Sequence, residues 1–350
     1  MTAVTAPATE AVVVTALRRE RRRTRVRAAL VLTALGAVTV AGLVVEVLVG
    51  GSADIALSDA LSAVFGSGTG LARFVVVETR LPRALTAVLV GAVFGLSGVV
   101  YQRLVSNVLA TPDIIGVSAG ASAGAVAVLV VAGGTGLAVQ AGALAGAALA
   151  VFLIFGLSWT HGSSTYRLVL VGIGVGACFA AATSYLLALA DSMTSTRAMR
   201  WLIGSLSGAQ WNEVAVLALT LVVGVVAVVL LTPSLDALRL GDHLASGLGT
   251  RVGLVRVIAL LLGAALAAIA TSVAGPVAFI ALVAGPIAAR LLPQAGPLPA
   301  AAVGAAVLVL ADVAAQTAPV ISPVPTGVLT GLVGAPALIF LLLTRKAEAR

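Results

Sequence analysis

Long apolar stretches recur along this chain of 350 residues and leave few positions for charged side chains. Each stretch runs for about 16–23 residues, close to the ~20 residues that an α-helix needs to cross a bilayer. Ten are recognisable: 28–50, 83–102, 115–132, 136–157, 168–190, 214–232, 253–274, 277–292, 299–316 and 327–344. Only 10% of the residues are charged, against about 25% in soluble domains. The pattern predicts an all-α polytopic membrane protein with ten transmembrane helices and excludes a soluble enzyme.

The basic residues are concentrated at the two ends of the chain. Segment 1–27 holds seven arginines and two glutamates, segment 345–350 holds three basic residues and one glutamate, and segment 28–344 is nearly neutral. Because lysine and arginine next to spans mark the cytoplasmic side, we expect both termini to be cytoplasmic tails. Two ends on one side require an even number of spans. The net charge of +8 therefore indicates topology and does not favour a nucleic-acid partner.

Two connecting segments interrupt the expected ten-helix domain over residues 28–344. Residues 51–81 are mixed and polar, which predicts an outer loop with one short helix. Residues 233–252 form the longest cytoplasmic connection. Pro233 is expected to end the preceding helix, and Asp236 and Asp242 suit the first turns of two short helices, where the helix dipole favours negative charge. This connection is either a solvated linker or a docking surface for a cytoplasmic partner.

A third connection is so short that the sequence does not determine whether one helix or two lie around it. Gly275 and Pro276 alone separate stretch 253–274 from stretch 277–292. The two stretches are therefore either separate helices or one kinked element.

Few residues inside the spans carry chemistry. Glu46 lies near the outer end of the first span, where we expect it to reach water, and Asp312 in the ninth span is expected to cap or pair at a helix interface. No catalytic residues and no metal site are predicted, because no nucleophile triad, metal-binding motif or histidine cluster is present. A phosphate-binding P-loop is also missing, since the only lysine is Lys346. The scarcity of carboxylates indicates that energy enters from outside the membrane part.

Four ordered blocks of sequence nevertheless follow a recognisable pattern. They are Arg80-Leu-Pro-Arg83 with the stretch that ends at Gln102; Asn107-Val-Leu-Ala-Thr-Pro112-Asp113 with 116–125; Trp201–Leu206 with 240–249; and Ala274–Leu282 with Leu310-Ala-Asp312, Pro325–Gly331 and Gly334-Ala-Pro336. Together these blocks resemble the permease family of bacterial ABC importers for iron-siderophores, haem and vitamin B12, the large ten-span type. The resemblance is nearest to the catecholate-siderophore permease subunits.

The resemblance implies a set of partners in the bacterial cytoplasmic (inner) membrane. Two permease subunits enclose a central pathway, a binding protein delivers the ligand from outside, and two ATPase subunits bind ATP and Mg, so that this chain needs no cofactor. Arg80 and Arg83 match the outer motif that meets acidic residues of the binding protein; paired arginines on an outer rim suit carboxylates. A third outer arginine of the family is replaced by Gln316, and we therefore favour a heterodimer over a homodimer.

The resemblance also assigns residues to the ATPase contact and to the pathway. The ATPase coupling loop comprises Leu238, Leu240, Gly241, Asp242, His243, Leu248 and Gly249. The family motifs on the pathway helices comprise Asn107, Pro112, Asp113, Gly116, Ser118, Gly120, Gly172, Gly176, Gly275 and Pro276. The implied function is ATP-driven import of a ferric siderophore. Haem or vitamin B12 import by the same permease type remains open, as does an ion-coupled secondary transporter.

Overall fold

A computed structural model of the chain describes residues 6–50, 55–67, 70–113, 116–158, 165–292, 296–317 and 324–348. All regular structure in these ranges is helical. The helices are α1 (Ala6–Val49), α2 (Leu57–Val64), α3 (Gly70–Arg73), a π-helical segment (Phe74–Arg80), α4 (Leu81–Leu104), α5 (Val117–Val131), α6 (Leu137–Ser158), α7 (Thr165–Leu189), α8 (Ser192–Ile203), α9 (Trp211–Leu238), α10 (Asp242–Gly247), α11 (Val252–Ala274), α12 (Ile280–Leu291), α13 (Leu298–Thr317) and α14 (Thr326–Glu348).

The apolar stretches of the sequence form the helices of the bundle. Within the described ranges, seven helical segments are long and apolar enough to cross a membrane. Three shorter apolar helices, α5, α12 and α14, complete the set of stretches found in the sequence. Five residues separate α11 from α12, and Gly275 at their start has a left-handed backbone (φ +71°). The two are therefore separate helices and not one kinked element.

Helix α4 lies at the centre of the bundle and packs against α9, α11, α12 and α13. Glycines bring neighbouring backbones together. A Cβ atom on Gly91 would lie 2.8 Å from the carbonyl carbon of Gly304 on α13, and one on Gly124 of α5 would lie 2.9 Å from that of Gly142 on α6. Small residues allow this close approach and its van der Waals gain. The glycine-rich stretches in these helices therefore serve helix packing.

Polar side chains of α4 satisfy backbone carbonyls of neighbouring helices. Pro286 in α12 has no N–H to donate to the carbonyl of Leu282, four residues earlier. The Gln102 side chain replaces that donor at 3.1 Å. Ser97 donates similarly to the carbonyl of Gly263 on α11 at 2.7 Å. Such bonds matter because lipid offers backbone groups no alternative partner.

The segments between the spans are more helical than the sequence predicts. The basic segment, expected as a separate tail, belongs to α1 from Ala6 onward, and α14 extends to Glu348. The outer connection 51–81 contains α2, and from Gly70 to Leu104 the chain is one continuous helical segment through the π-helical turn. Arginine, leucine and alanine are strong helix formers, and they favour these extensions. Residues 1–5, 51–54 and 349–350 lie outside the described residues.

The connection 233–252 also differs from the prediction. Pro233 does not end α9, which continues to Leu238, and one short helix, α10, follows in place of two. The helix persists because Leu231, Leu235 and Leu238 recur at helical spacing, and the last two are buried. Asp236 consequently lies inside α9, whereas Asp242 is the first residue of α10, as predicted.

Candidate functional site

The bundle has two ends, named here by the short helices that mark them. At the α8 end lie the end of α1, the start of α4 and α14, and the end of α13. At the α10 end lie the end of α4, the end of α9 and the start of α11. The residues singled out in the sequence fall at both ends, and each end is described in turn.

A buried ion pair joins α4 to α13 at the α8 end. The guanidinium of Arg83 donates from Nε to Oδ2 of Asp312 and from Nη2 to Oδ1, each at 2.8 Å. Asp312 is fully buried, and Arg83 retains 17% side-chain exposure. Its Nη1 reaches Ser207 Oγ at 3.4 Å. The expectation that Asp312 pairs at a helix interface is confirmed, and its partner is the arginine that the sequence assigns to docking.

Three further side chains extend this ion pair into a network. The amide nitrogen of Gln316 donates to Asp312 Oδ2 at 2.8 Å and to Glu46 Oε1 at 3.2 Å. The hydroxyl of Thr326, the first residue of α14, donates to Asp312 Oδ1. Glu46 is 2% exposed, so the prediction that it reaches water is wrong. The packing of α1 on α13 buries it against Gln316.

Arg80 occupies a different position from the one expected. It ends the π-helical segment, is 5% exposed, and donates from Nη1 to the carbonyl oxygens of Val47 and Leu48 at 3.3 and 3.0 Å. These carbonyls belong to the last turn of α1, which has no intrahelical donors for them. An exposed position on an outer rim is therefore wrong for Arg80, which caps α1. Its docking role stays a prediction.

Helix α8 and the turn after it cover this end of the bundle. Asp191 caps α8 by accepting a hydrogen bond from the backbone N–H of Thr194 at 3.0 Å. Hydrogen bonds from the Thr194 side chain and backbone hold the pKa of Asp191 below its usual range. The following turn binds two other segments: Ser205 N donates to the carbonyl of Ala274 at 2.8 Å, and Gly327 N donates to that of Gly204 at 3.2 Å.

A cavity of about 260 Å³ lies beside this turn. Its walls combine polar groups from five helices and the turn, including Thr86, Gln140, Arg197, Ser207 and Glu213. Glu213 is held in place because it accepts hydrogen bonds from the Gln140 side chain and from the backbone N–H of Gln210. The cavity therefore offers room for several water molecules beside Ser207, the residue that Arg83 Nη1 reaches.

Two groups of predicted pathway residues, one around α7 and one before α12, lie far apart in the bundle. Gly116, at the start of α5, approaches α7 so closely that a Cβ atom on it would lie 2.9 Å from the carbonyl oxygen of Gly172 and 3.1 Å from Gly176 Cα. Gly275 and Pro276 instead pack on Gly204, at the α8 end. The structure thus brings Gly116, Gly172 and Gly176 together and places Gly275 and Pro276 at the opposite end of the bundle.

The remaining motif residues shape the connection before α5. The Asn107 side chain accepts a hydrogen bond from the backbone of Leu109 at 2.9 Å, and Pro112 is buried. The Ser118 hydroxyl donates to the carboxylate of Asp113. Gly120, two residues further along α5, packs against Gly146 of α6, where a Cβ atom would lie 2.5 Å from the carbonyl oxygen.

The α10 end presents the predicted coupling loop. Six of its seven assigned residues are exposed: Leu240, Gly241, Asp242, His243, Leu248 and Gly249. Leu238 is the exception, because it ends α9 with 8% exposure and belongs to the core. Asp242 pairs with Arg256 of α11 at 2.8 Å, which fixes α10 to the bundle. The turn before α10 uses Gly241 in a left-handed conformation (φ +96°).

The sequence does not link the members of the buried network to one another. Glu46, Arg83, Asp312, Gln316 and Thr326 come from four helices and are separated by up to 280 residues in the chain. One signal is available: Arg83 and Asp312 both lie near the same expected membrane depth, and a charge at that depth requires a partner. Gln316 and Thr326 carry no such signal.

Comparison with known proteins places these features in a family. The model of the FecCD transport family matches residues 22–344. The ferric enterobactin transport system permease protein FepG of Escherichia coli K12 is 36% identical over 295 residues, which are 84% of this chain and 89% of FepG. The achromobactin transport system permease protein CbrC of Dickeya dadantii is 37% identical over 293 residues, 82% of this chain and 84% of CbrC.

The fold has a counterpart among solved structures. A metal-chelate type ABC transporter in an inward-facing conformation superimposes with a TM-score of 0.77 and 26% sequence identity, over 89% of this chain and 98% of the other. The cobalamin import system permease protein BtuC of Halobacterium salinarum is 35% identical over 87% of this chain and 83% of its own length. The matches span both ends of the bundle and the helices between them, and the chain belongs to the FecCD transport family of membrane permeases.

Proposed function

We propose that this chain is the permease subunit of an ATP-driven importer that takes up a ferric siderophore delivered by an extracytoplasmic binding protein. The observation that carries the proposal is the family match over residues 22–344, together with relatives named for enterobactin and achromobactin transport. Cobalamin import is the second candidate, because the BtuC relative covers a similar share of the chain. An ion-coupled carrier is less suited, because only two acidic side chains, Glu46 and Asp312, are deeply buried in the described spans.

The proposed topology has ten spans and cytoplasmic termini in the bacterial inner membrane. Seven long and three shorter apolar helices supply the ten segments. Helix α1 ends and α14 begins at the Asp312 network of the α8 end, so the start of α1 and the end of α14, where the sequence is basic, are directed toward the α10 end. This direction supports a cytoplasmic α10 and an extracytoplasmic α8. With this topology, partners on the two sides of the membrane can reach the α8 end and the α10 end of the bundle.

The α10 end is the proposed ATPase contact. Leu240, Leu244 and Leu248 are 58%, 63% and 68% exposed, although leucine side chains gain free energy on burial. Leu244 lies on α10, which the Asp242–Arg256 pair holds to the bundle, and Leu240 and Leu248 lie just before and just after this helix. The exposed apolar surface suits a groove on a partner. The chain has no P-loop lysine of its own, so ATP and Mg belong to that partner.

The α8 end is the proposed contact for the binding protein. Arg83 remains the accessible member of the predicted arginine pair, since 17% of its side chain is exposed whereas Arg80 is buried. Ser207, which lines the cavity, lies 3.4 Å from the same guanidinium. An acidic side chain of the binding protein would compete with Asp312 for the guanidinium of Arg83.

The second permease subunit is proposed to cover apolar surface that this chain leaves exposed. In α7 only 17% of the most apolar window is buried inside the chain. The close approach of Gly116 to Gly172 and Gly176 on α7 supports a proposed pathway at this side. A heterodimer is favoured because Gln316, at the position of an outer arginine in the family, points into the buried network instead.

Uptake measurements in cells that express the chain with its ATPase and binding-protein partners test this function. Replacing Leu240, Leu244 and Leu248 together with serine is expected to abolish ATP-dependent uptake of iron supplied as a ferric siderophore, because the ATPase loses its apolar contact. A matched control is Leu57→Ser, which alters an equally exposed leucine (55%) at the opposite end. Normal uptake by the triple variant rules out α10 as the contact, and uptake driven by an ion gradient without the ATPase refutes the import mechanism.

A further inference from the structure

The buried network at the α8 end contains one more acidic group than it has basic groups. Glu46 and Asp312 are 2% and 0% exposed, and Arg83 is the guanidinium that bonds to Asp312. If both carboxyl groups were ionised, Glu46 would be a buried carboxylate with no cation bonded to it among the described residues. An isolated carboxylate in such surroundings is so costly that the group binds a proton instead.

The geometry decides which of the two acids is ionised. Asp312 receives both parallel N–H groups of Arg83, the Gln316 amide and the Thr326 hydroxyl. Four donors saturate a carboxylate and hold it in the charged form. The bidentate pairing with Arg83 is possible only for an ionised Asp312.

Glu46 has a different set of neighbours. Its Oε1 accepts one hydrogen bond, from Gln316 at 3.2 Å, and its Oε2 is buried without a donor among the described residues. The Gln316 amide nitrogen that bonds Glu46 also bonds Asp312, so the two carboxyl groups are neighbours. Two neighbouring buried carboxyl groups avoid repulsion when one of them carries a proton, and that proton belongs to the acid without the arginine.

The other charged groups around this part of α1 do not replace the proton. Of the elements that pack here, α13 contributes Asp312 and α4 contributes Arg83. Arg80 of the π-helical segment faces the carbonyls of Val47 and Leu48. Asp59 of α2 and Glu78 of the π-helical segment are exposed to solvent.

We propose that Glu46 is a proton-binding site within the membrane domain and that its proton holds α1 to the Asp312 network. The neutral acid accepts the Gln316 hydrogen bond without adding a second negative charge beside Asp312, and α1 stays packed on α13. Ionisation breaks the O–H bond of Glu46 and transfers the proton to water, leaving two neighbouring carboxylates. Their repulsion then separates α1 from α13 and weakens the hold on Thr326 at the start of α14. The proposal concerns this chain alone and does not depend on which ligand is imported.

Infrared spectroscopy and thermal unfolding of the full chain in lipid nanodiscs test the proposal. The wild-type protein is expected to show the carbonyl stretching band of a protonated carboxyl group at neutral pH. Glu46→Gln, which has the shape of the protonated acid, is expected to lose that band. Glu78→Gln, which changes an exposed acid at the same end of the bundle, is the matched control and should keep it.

Thermal unfolding supplies the second measurement. Glu46 holds its proton in the folded state at a pH where an unfolded glutamate, with a pKa of about 4.3, has lost it. The folded state therefore binds one more proton than the unfolded state above about pH 4.3, and the Tm falls as pH rises through the range in which folded Glu46 keeps its proton. Glu46→Gln should remove this part of the pH dependence, whereas Glu78→Gln should not.

Several results would overturn the assignment. A band that is absent from the wild type, or that persists unchanged in Glu46→Gln, shows that Glu46 holds no proton. Identical pH profiles of Tm for the wild type and Glu46→Gln do the same. A Tm that rises with sodium or potassium concentration and is insensitive to pH shows that a metal cation occupies the place of the proton. If Glu46→Gln does not fold, the infrared titration of the wild type alone decides the question.

Discussion

At the scale of single residues, the Arg83–Asp312 pair shows how this bundle tolerates charge. Both side chains face protein and not lipid, and each meets several partners. The free-energy cost of burying a pair is offset only when geometry and extra hydrogen bonds are good. Thr326 and Gln316 supply those bonds, and the pair thereby fixes the start of α14 against α4 and α13.

Breaking this pair should be costly. Asp312→Asn keeps the shape of the side chain but leaves the guanidinium of Arg83 without its counter-charge. We expect the free energy of unfolding to fall by about 3–5 kcal/mol, as when one partner of a buried pair is lost. Denaturant titration of the full chain in mixed micelles measures the change.

Asp236→Asn provides the comparison for that experiment. Asp236 pairs with Arg103 at 3.2 Å, but half of its side chain is exposed. An exposed pair contributes about 0–1 kcal/mol. Equal losses for the two variants would show that the Arg83–Asp312 pair is as well solvated as a surface pair.

At the scale of helices, glycine decides which elements pack most closely. In the α5–α6 pair, Gly124 faces Gly142 and Gly146 with only backbone atoms between them. Backbone cannot rotate away from an added methyl group as a flexible side chain can. The close contact between these two helices therefore requires glycine, whose side chain is a single hydrogen atom, at a few positions. Close packing matters here because lipid provides no hydrophobic force that drives helices together.

Filling this contact should separate the helices. Gly124→Val places Cβ about 2.9–3.0 Å from the Gly142 carbonyl carbon and Gly146 Cα. We expect a loss of about 1–3 kcal/mol or more, typical of overpacking. Gly156→Val, on the same helix pair, is the control, since a Cβ atom there has open space around it. Similar thermal stability of the two variants would contradict the close packing of α5 and α6.

The fold could be predicted at the scale of helices because length and apolarity are local properties. All ten apolar stretches correspond to helices of the bundle. The continuation of α9 beyond Pro233 was not predictable from the local proline rule, because the packing of Leu235 and Leu238 outweighs it.

The candidate site was less predictable than the helices. The exposure of Arg80 and Glu46 depends on how α1 rotates and packs against α13 and the π-helical segment, and sequence spacing along one helix does not specify this. The exposed residues of the α10 connection were identified because glycine and aspartate mark turns and helix starts locally.

At the scale of the whole molecule, the placement of α8 and α10 at opposite ends gives the topology a direct test. Cys178 is the chain's only cysteine and is exposed. In a Cys178→Ser background, Thr196→Cys on α8 should react with a membrane-impermeant thiol reagent added to intact cells. Ser246→Cys on α10 should react only after the inner face is opened. Labelling of both positions from one side would exclude the proposed orientation.

The glycine contacts also have a mechanical consequence. Where backbones touch, as between Gly91 on α4 and Gly304 on α13, there is no free volume to take up a displacement. Such helix pairs are stiff, so we expect a displacement at one membrane surface to be transmitted along them to the other surface. Motion started by a partner on one side of the membrane would then be taken up where the backbone has open space around it, as at Gly208, where an added Cβ atom would meet nothing within 4 Å.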